Sequence, residues 1–138
     1  MCNETECDTL NGSGACRYAN GSRYEGDFRN GKRNGWGILT FSSGGRHNGE
    51  FRDGKRDGYG VSTSADGSRF QGDFRDDKPN GYGMLVTSEG LTYIGKWIDG
   101  HFQQDPREAW TAIKEIARQF HVHGDALCDS SLRKPFAE

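Results

Sequence analysis

The stretch YEGDFRNGKRNGWGILTFSSGGR, residues 24–46, is one copy of a motif that recurs along the chain. Glycines keep a constant step of 23 residues in several columns: Gly26, Gly49, Gly72 and Gly95; Gly35, Gly58 and Gly81; Gly37, Gly60 and Gly83. Self-similarity at a fixed period is the signature of a repeat architecture. We therefore predict a repeat array over residues 9–105, with a partial copy at 9–23, full copies at 24–46, 47–69 and 70–92, and a partial copy at 93–105.

Each copy has the pattern of a β-hairpin. Tyr24, Gly26 and Phe28 alternate with charged residues, which is the period of a strand with one apolar face. The segment NGKRNG at 30–35 supplies turn residues, and GWGILTF at 35–41 restarts an extended run. We expect the hairpins to form one elongated, single-layer antiparallel sheet, an all-β fold. In this sheet the rings of one copy should lie over the glycines of its neighbour.

An α-helix is predicted after the array. The stretch DPREAWTAIKEIARQFHVHG, residues 105–124, has Asp105 as N-cap, Pro106 at the first helical position and Gly124 as its stop. An apolar stripe at helical spacing predicts the packing face: Trp110, Ile113, Ile116, Ala117 and Phe120. This helix, at 106–124, either caps the last repeat or occupies a groove, its own or that of a second copy. Residues 1–8 are expected to be a flexible N-terminus and 125–138 a tail.

Composition limits the classes of partner. The formal net charge is −2, so no global basic field attracts nucleic acid, and we expect none as a partner. No apolar run approaches the ~20 residues of a membrane helix, and the N-terminal residues lack a hydrophobic signal core. The cysteines show no zinc-finger spacing and are expected as free thiols in a reducing compartment: Cys2, Cys7, Cys16 and Cys128. A cytoplasmic protein is the resulting expectation.

The sequence carries no recognisable motif for catalysis or for a cofactor. Its glycines repeat along the chain, and no GxxxxGK[ST] or GxGxxG stands before a helix, so a phosphate loop is not expected. His121, His123, Asp125 and Cys128 fit no standard zinc pattern. No Ser, Cys or carboxylate has a partner at a known catalytic spacing. We therefore expect no metal, no cofactor and no enzymatic activity.

The copies resemble the MORN repeat, the membrane occupation and recognition nexus, whose consensus YxGxFxxGxxxGxGxxxxxxG matches residues 24–45 nearly throughout. The resemblance covers roughly residues 11–100. It implies a twisted, trough-like sheet with its aromatic column on the concave side, and a binding or scaffolding role without catalysis. It also implies partners in cytoskeletal, ciliary or membrane-associated machinery. Departures from the pattern are His47, Asn48, Gln71 and Asp77.

Three functions are open at this stage. The first is an adaptor or scaffold that binds a helical or extended segment of a partner in an aromatic groove: Tyr24, Phe28, Trp36, Phe51, Tyr59, Phe70, Phe74, Tyr82, Tyr93 and Trp97. The second is a peripheral membrane tether that binds anionic phospholipid through basic turn residues: Lys32, Arg33, Lys55, Arg56 and Lys78. The third is a self-associating structural element, such as a homodimer. The ten rings can equally pack on one another.

Overall fold

The repeats form a single antiparallel sheet followed by a helix. The structure is a computed structural model that describes residues 10–123, with side chains up to Gln119. Within that range nine strands pair in chain order: β1 (Gly12–Arg17), β2 (Arg23–Arg29), β3 (Lys32–Thr40), β4 (Arg46–Arg52), β5 (Lys55–Thr63), β6 (Arg69–Arg75), β7 (Lys78–Val86), β8 (Thr92–Ile98) and β9 (His101–Gln103). Helix α1 spans Pro106–His123. The predicted fold is confirmed; the expected flexible N-terminus at 1–8 and the tail at 125–138 lie outside the described residues.

Two-residue turns join the strands within each repeat. Asn30 and Gly31, between β2 and β3, have φ angles of 52° and 76°. Positive φ at both positions matches the right-handed twist of the flanking strands, as in a type I′ hairpin. The predicted turn at 30–35 is therefore too long, because Lys32 to Gly35 belong to β3. In the third repeat Asp77 takes the glycine position at a φ of 70°, and its Oδ1 accepts the backbone N–H of Arg56 at 2.8 Å.

Strand pairing divides the predicted groove residues between the two faces of the sheet. Tyr24 pairs with Leu39, whereas Trp36 pairs with Glu50, and directly paired residues share a face. One side, here called the aromatic face, carries Tyr24, Phe28, His47, Phe51, Phe70, Phe74, Tyr93 and Trp97. The other, here called the helix face, carries Trp36, Tyr59 and Tyr82 among charged and amide side chains. The prediction of a single aromatic column is therefore wrong.

The rings of the aromatic face form a continuous ladder. One edge-to-face pair joins each repeat to the next: the ring centroids are 5.1 Å apart in Tyr24–Phe51, 4.7 Å in His47–Phe74 and 5.2 Å in Phe70–Trp97. Such pairs contribute about 0.5–1.5 kcal/mol each beyond the burial of their area. Seven of the rings are buried, with exposures of 0 to 6%: Tyr24, Phe28, His47, Phe51, Phe70, Phe74 and Trp97. This face therefore completes its own core.

Glycines without a side chain make room for these rings. A Cβ on Gly37 would overlap the ring of Tyr24, and one on Gly83 would overlap the ring of Phe70. Each ring thus covers a glycine of its own repeat, which corrects the expectation that it covers the neighbour's. The contacts to the neighbouring repeat are the ring-to-ring pairs.

Acidic side chains lie at the β-bulges of the repeats and accept backbone hydrogen bonds there. Glu50 stands at the register shift between Gly49 and Phe51, and its Oε1 accepts the backbone N–H of Tyr59 at 3.0 Å. A Cβ on Gly58 would overlap the Glu50 carboxylate, so the carboxylate can take this position only because residue 58 has no side chain. The third repeat has the same arrangement with Asp73, Tyr82 and Gly81.

Cys16 departs from the expected free thiols. It lies on the aromatic face, paired with Tyr24, and belongs to the buried cluster around that ring. Cys16 is disulfide-bonded, and the other cysteines of the chain lie outside the described residues. The free-thiol prediction is therefore wrong at this position.

His47 takes the place of Tyr24 in the second repeat and is completely buried. Its Nδ1 shares a hydrogen bond of 2.5 Å with the hydroxyl of Ser62, while Nε2 has no partner in the described part of the chain. Burial lowers the pKa of His47 to about 3, and the positive charge of Arg56 acts in the same direction. The imidazole is therefore neutral in the folded protein.

Replacing Gly37 with alanine should lower the free energy of unfolding by about 3 kcal/mol, because the added methyl overlaps a fully buried ring. Gly90→Ala is the control, since Gly90 has a φ of 92° but open space around it, and should cost only about 1 kcal/mol of backbone strain. Urea denaturation measures both. Equal losses in the two variants would contradict the packing of Tyr24 against Gly37.

The free energy of unfolding should decrease as pH falls from 7 to 5, and part of this decrease should depend on His47. The unfolded histidine has a pKa near 6.5 and the folded one about 3, so its contribution is complete above pH 6.5 and is lost as pH falls toward 3. Between pH 7 and pH 5 this amounts to about 2 kcal/mol. His47→Phe, which copies Phe70 of the next repeat, should remove that part of the difference in urea denaturation. An identical pH dependence in both proteins would contradict a buried neutral imidazole.

Candidate interaction surface

Helix α1 lies on the helix face, over the last two long strands of the sheet. Its largest sets of contacts are with β8 and β7. The hydroxyl of Tyr82 donates a hydrogen bond of 3.2 Å to Glu108. Asp105 caps the helix as predicted, because its Oδ1 accepts the backbone N–H of Arg107 at 3.0 Å. The sheet thus binds a helix of its own chain on the helix face, which carries Trp36, Tyr59 and Tyr82.

The helix meets the sheet through small and polar residues. Ala112 is completely buried, whereas Trp110 is 64% exposed and Ile113 is 41% exposed. The predicted packing face is therefore wrong at Trp110, Ile113 and Ala117, which are exposed. Ile116 is half-buried, and the side chain of Phe120 lies outside the described residues. The helix face of β7 and β8 carries Tyr82 and Lys96 beside Met84 and Ile94, so the surface beneath α1 is mixed in polarity.

Charged groups of the helix and the sheet act on one another. Burial is the main cause that raises the pKa of the Asp73 carboxyl, and the negative charges of Glu115 and Glu50 raise it further. Arg118 opposes them, and its Nη2 donates to Glu115 at 3.0 Å. The middle of α1 therefore lies close enough to β6 for its charges to act on Asp73.

A buried polar floor continues the helix face across β4 to β6. Val61 pairs with both Asn48 and Gln71, and the three side chains are 3, 2 and 1% exposed. The amide of Gln71 donates to the hydroxyl of Tyr59 at 2.6 Å, and burial raises the pKa of Tyr59 to about 12. Within the described residues, Asn48 Nδ2 and Gln71 Oε1 have no hydrogen-bond partner. The only signal of this floor in the sequence is that Asn48 and Gln71 replace the glutamate of the first full repeat.

Rows of opposite charge flank this floor, here called the amide floor and defined as Asn48, Val61 and Gln71. Arg46 and Arg69 precede the two amides by two residues on their strands, so they lie on the same face. Glu50 and Asp73 follow the amides by two residues. A segment laid across the strands would therefore have arginines on one side and carboxylates on the other.

The basic residues predicted to contact lipid fall into two groups. The guanidinium of Arg33 donates to the carbonyl of Gly54 at 2.6 Å and lies 5.8 Å from the ring centroid of Phe51. Arg56 donates in the same way to the carbonyl of Asp77, at 2.7 Å. These two arginines hold neighbouring repeats together. The three lysines are exposed: Lys32, Lys55 and Lys78.

The described residues contain no group of three or more His, Cys, Asp or Glu able to hold a metal ion. The histidines, aspartate and cysteine between positions 121 and 128 lie outside the described side chains. In the range searched, no helix combines the length and the apolar composition needed to cross a membrane.

The orientation of α1 can be tested by two substitutions. Ala112→Asp should lower the free energy of unfolding by about 3 kcal/mol, because it places a charge in a fully buried contact. Trp110→Ser should change it by no more than about 0.5 kcal/mol, because that side chain faces solvent. Thermal and urea denaturation measure both. A larger loss for Trp110→Ser than for Ala112→Asp would restore the packing face expected from the apolar stripe.

Comparison with known proteins identifies the repeat. The family model described as MORN repeat matches residues 8–23, 24–46, 47–69 and 70–92. A search of curated proteins gives no match. Repeats of this kind are non-catalytic modules that generally contact proteins or membranes. The chain belongs to the MORN repeat family.

Proposed function

We propose that this chain is a non-catalytic adaptor that binds a helical or extended segment of a protein partner on its helix face. The observation that carries the proposal is the position of α1. This face already holds one amphipathic helix, through the buried Ala112 and the hydrogen bond from Tyr82 to Glu108. A surface that binds a helix in its own chain has the shape and the polarity to bind another.

The aromatic face is less suited to this task. Tyr24 and Phe51 are 0% and 3% exposed, so a partner would gain little by covering them. Tyr93, at 37%, is the most exposed ring of that face. Of the ten groove residues expected from the sequence, the proposal retains the two half-buried rings of the helix face, Trp36 and Tyr82; Tyr59, at 2% exposure, belongs to the core by the same criterion.

The flanking charges specify the kind of segment that fits. A partner should carry acidic side chains toward Arg46 and Arg69, basic ones toward Glu50 and Asp73, and apolar ones between them. Complementary charge mainly sets specificity and the association rate. Aromatic anchors such as Trp36 usually supply most of the binding energy at an interface.

The compartment expected from the sequence stays an expectation. The resemblance implies cytoskeletal, ciliary or membrane-associated machinery in the cytoplasm. The disulfide at Cys16 speaks against a reducing compartment, because cytosolic disulfides are rare in most organisms. The proposal therefore names the chemistry of the partner and leaves its location open.

Contact with anionic phospholipid is the second candidate. Lys32, Lys55 and Lys78 are exposed at equivalent positions, each as the first residue of its strand. Alternate strands place them about 10 Å apart along one edge. Each could contribute about 1 kcal/mol near an anionic membrane. Asp53 and Asp76, both exposed in neighbouring turns, weaken that attraction.

The adaptor function can be tested by selecting binders from a displayed library of helical and extended peptides, with the full chain as bait. Ile38→Arg changes a half-buried residue of the helix face, and Tyr93→Arg is the control on the aromatic face. Selected peptides should lose at least about 10-fold in affinity to the first variant and less than about 2-fold to the second. Circular dichroism of both variants checks the fold.

Two outcomes would contradict the adaptor function on the helix face. One is that binding depends on Tyr93 and not on Ile38. The other is that no peptide is selected while vesicles containing phosphatidylserine, but not neutral vesicles, sediment the protein. In that case a triple variant with Lys32→Glu, Lys55→Glu and Lys78→Glu should abolish sedimentation. Self-association, the third function expected, would appear as a concentration-dependent mass in light scattering.

A further inference from the structure

The hairpin-turn end of the helix face carries a row of exposed cations. In each full repeat the residues that flank the turn are an arginine and a lysine on paired strands: Arg29 with Lys32, Arg52 with Lys55 and Arg75 with Lys78. All six residues are exposed. Paired residues share a face, and alternation along β3 puts Lys32 on the face of Trp36, so the row belongs to the helix face. These six residues are here called the basic edge.

Pairing within the sheet does not compensate the charges of the basic edge. Like charges directly opposite each other on two strands are destabilising. Among the described residues, the edge forms one ion pair, from Arg52 to Asp57 at 3.8 Å. The nearby carboxylates of Glu50 and Asp73 are half-buried and accept backbone N–H groups of the next strand. Each hairpin therefore holds a like-charged pair in solvent, and an anionic ligand would relieve the repulsion within it.

The basic edge is a line of charge, one residue wide. Each of the six neighbouring strands β2 to β7 contributes one cation. With about 4.8 Å between strands, the row is about 24 Å long. Roughly seven or eight residues of extended chain have the same length, and alternate side chains of such a chain point to the same side about 7 Å apart. A short extended segment can therefore bring several acidic side chains to the row.

The groups beside the row favour a protein segment over other linear polyanions. Glu50 and Asp73 precede Arg52 and Arg75 by two residues, so carboxylates lie immediately inside the edge on the same face. A nucleic acid or a polyphosphate is anionic along its whole length and would meet these carboxylates as well. A protein segment can carry acidic side chains toward the cations and neutral or basic ones toward the carboxylates.

A flat anionic membrane fits the row less well. Helix α1 lies on the same face, over β7 and β8, and a helix with its side chains is about 10 Å thick. It would hold a bilayer away from Lys78 on β7, whereas a single extended chain can lie beside the helix. A membrane that approached the turn end of the sheet would also meet the exposed Asp53 and Asp76. The surroundings of the edge therefore suit a narrow ligand.

We propose that the basic edge binds an extended acidic segment of a partner protein, which lies across the strands from β2 to β7. Carboxylates on the outer side of the segment contact the arginine–lysine pairs, and neutral or basic side chains on its inner side face Glu50 and Asp73. The proposal rests on the adaptor function for the class of partner, and it adds a second strip of the helix face to the site. Complementary charge of this kind mainly sets specificity and the association rate.

A glutamate peptide provides the probe. Fluorescence anisotropy with the full chain compares a labelled peptide of about ten residues that alternates Glu and Ser with the same peptide carrying Gln in place of Glu. At low ionic strength, where screening is weak, the glutamate peptide should bind at least about 10-fold more tightly.

Matched variants separate the edge from net charge. The triple variant Arg29→Gln, Arg52→Gln and Arg75→Gln should lower the affinity for the glutamate peptide at least about 10-fold. Arg23→Gln, Lys114→Gln and Arg118→Gln together remove the same charge from exposed positions away from the edge, and should lower it less than about 2-fold. Circular dichroism checks that both variants fold. Glutamate at the three edge arginines should instead make the chain prefer a peptide that alternates Lys and Ser.

Four results would overturn the proposal. Equal affinity for the glutamate and glutamine peptides is one, and equal losses in the two triple variants, which would reduce the effect to net charge, are another. Tighter binding of an oligonucleotide with the same number of charges would assign the edge to nucleic acid. Sedimentation with phosphatidylserine vesicles that the edge variant abolishes, without any binding of the glutamate peptide, would assign it to lipid.

This proposal and the adaptor function fail in different ways. If library peptides bind and depend on Ile38 while the glutamate peptide shows no preference, only the acidic segment at the edge is wrong. If no library peptide is selected while the glutamate peptide binds through the edge arginines, the site around Ile38 is wrong and the edge stands.

Discussion

The packing of an aromatic ring against a bare glycine backbone is the contact on which this sheet depends. A sheet of one layer has no second layer to bury its apolar face. Here the ring of Tyr24 lies over Gly37, the imidazole of His47 over Gly60, and the ring of Phe70 over Gly83. Each ring then meets the edge of a ring in the next repeat. These two contacts, repeated with the period of the sequence, supply the core.

Because the aromatic face buries its own rings, the helix face is the one that can bind other segments. That face combines tyrosine and tryptophan with amides, carboxylates and arginines, and it already holds α1 through Ala112. Some of its polar groups are fixed by the fold, as Glu50 is by the backbone of Tyr59. Others, such as Asn48 Nδ2, are buried without a partner in the described residues. The two faces therefore differ because the glycines let the rings of the aromatic face pack closely on the sheet.

Periodicity made the architecture predictable, because every copy repeats the same alternation and the same turn residues. The 23-residue step, the hairpins and the cap of α1 at Asp105 all follow from local rules. The face on which Trp36 lies was mispredicted, although strand pairing determines it: Arg29 pairs with Lys32, so alternation along β3 places Trp36 on the face of Arg29 and Leu39 on the face of Tyr24. The register shift near Asp27 advances β2 by two residues and β3 by four, both even numbers, so it leaves the faces unchanged.

The candidate site was less predictable than the fold for a similar reason. An apolar stripe identifies the apolar side of a helix, but it does not show which residues of the sheet lie beneath that helix. Trp110 was therefore predicted to face the sheet, whereas it faces solvent. The arginines expected to meet lipid are held by carbonyls of the next repeat, a contact between residues about twenty positions apart. Asn48 and Gln71 were visible only as departures from the pattern.

The most direct test of the central claim is a ¹H NOESY spectrum of the full chain, with the glycine α-protons assigned. The account predicts strong cross-peaks between the α-protons of Gly37 and the ring of Tyr24, and between those of Gly83 and the ring of Phe70. Cross-peaks from these rings to the glycines of a neighbouring repeat, or to none, would contradict it.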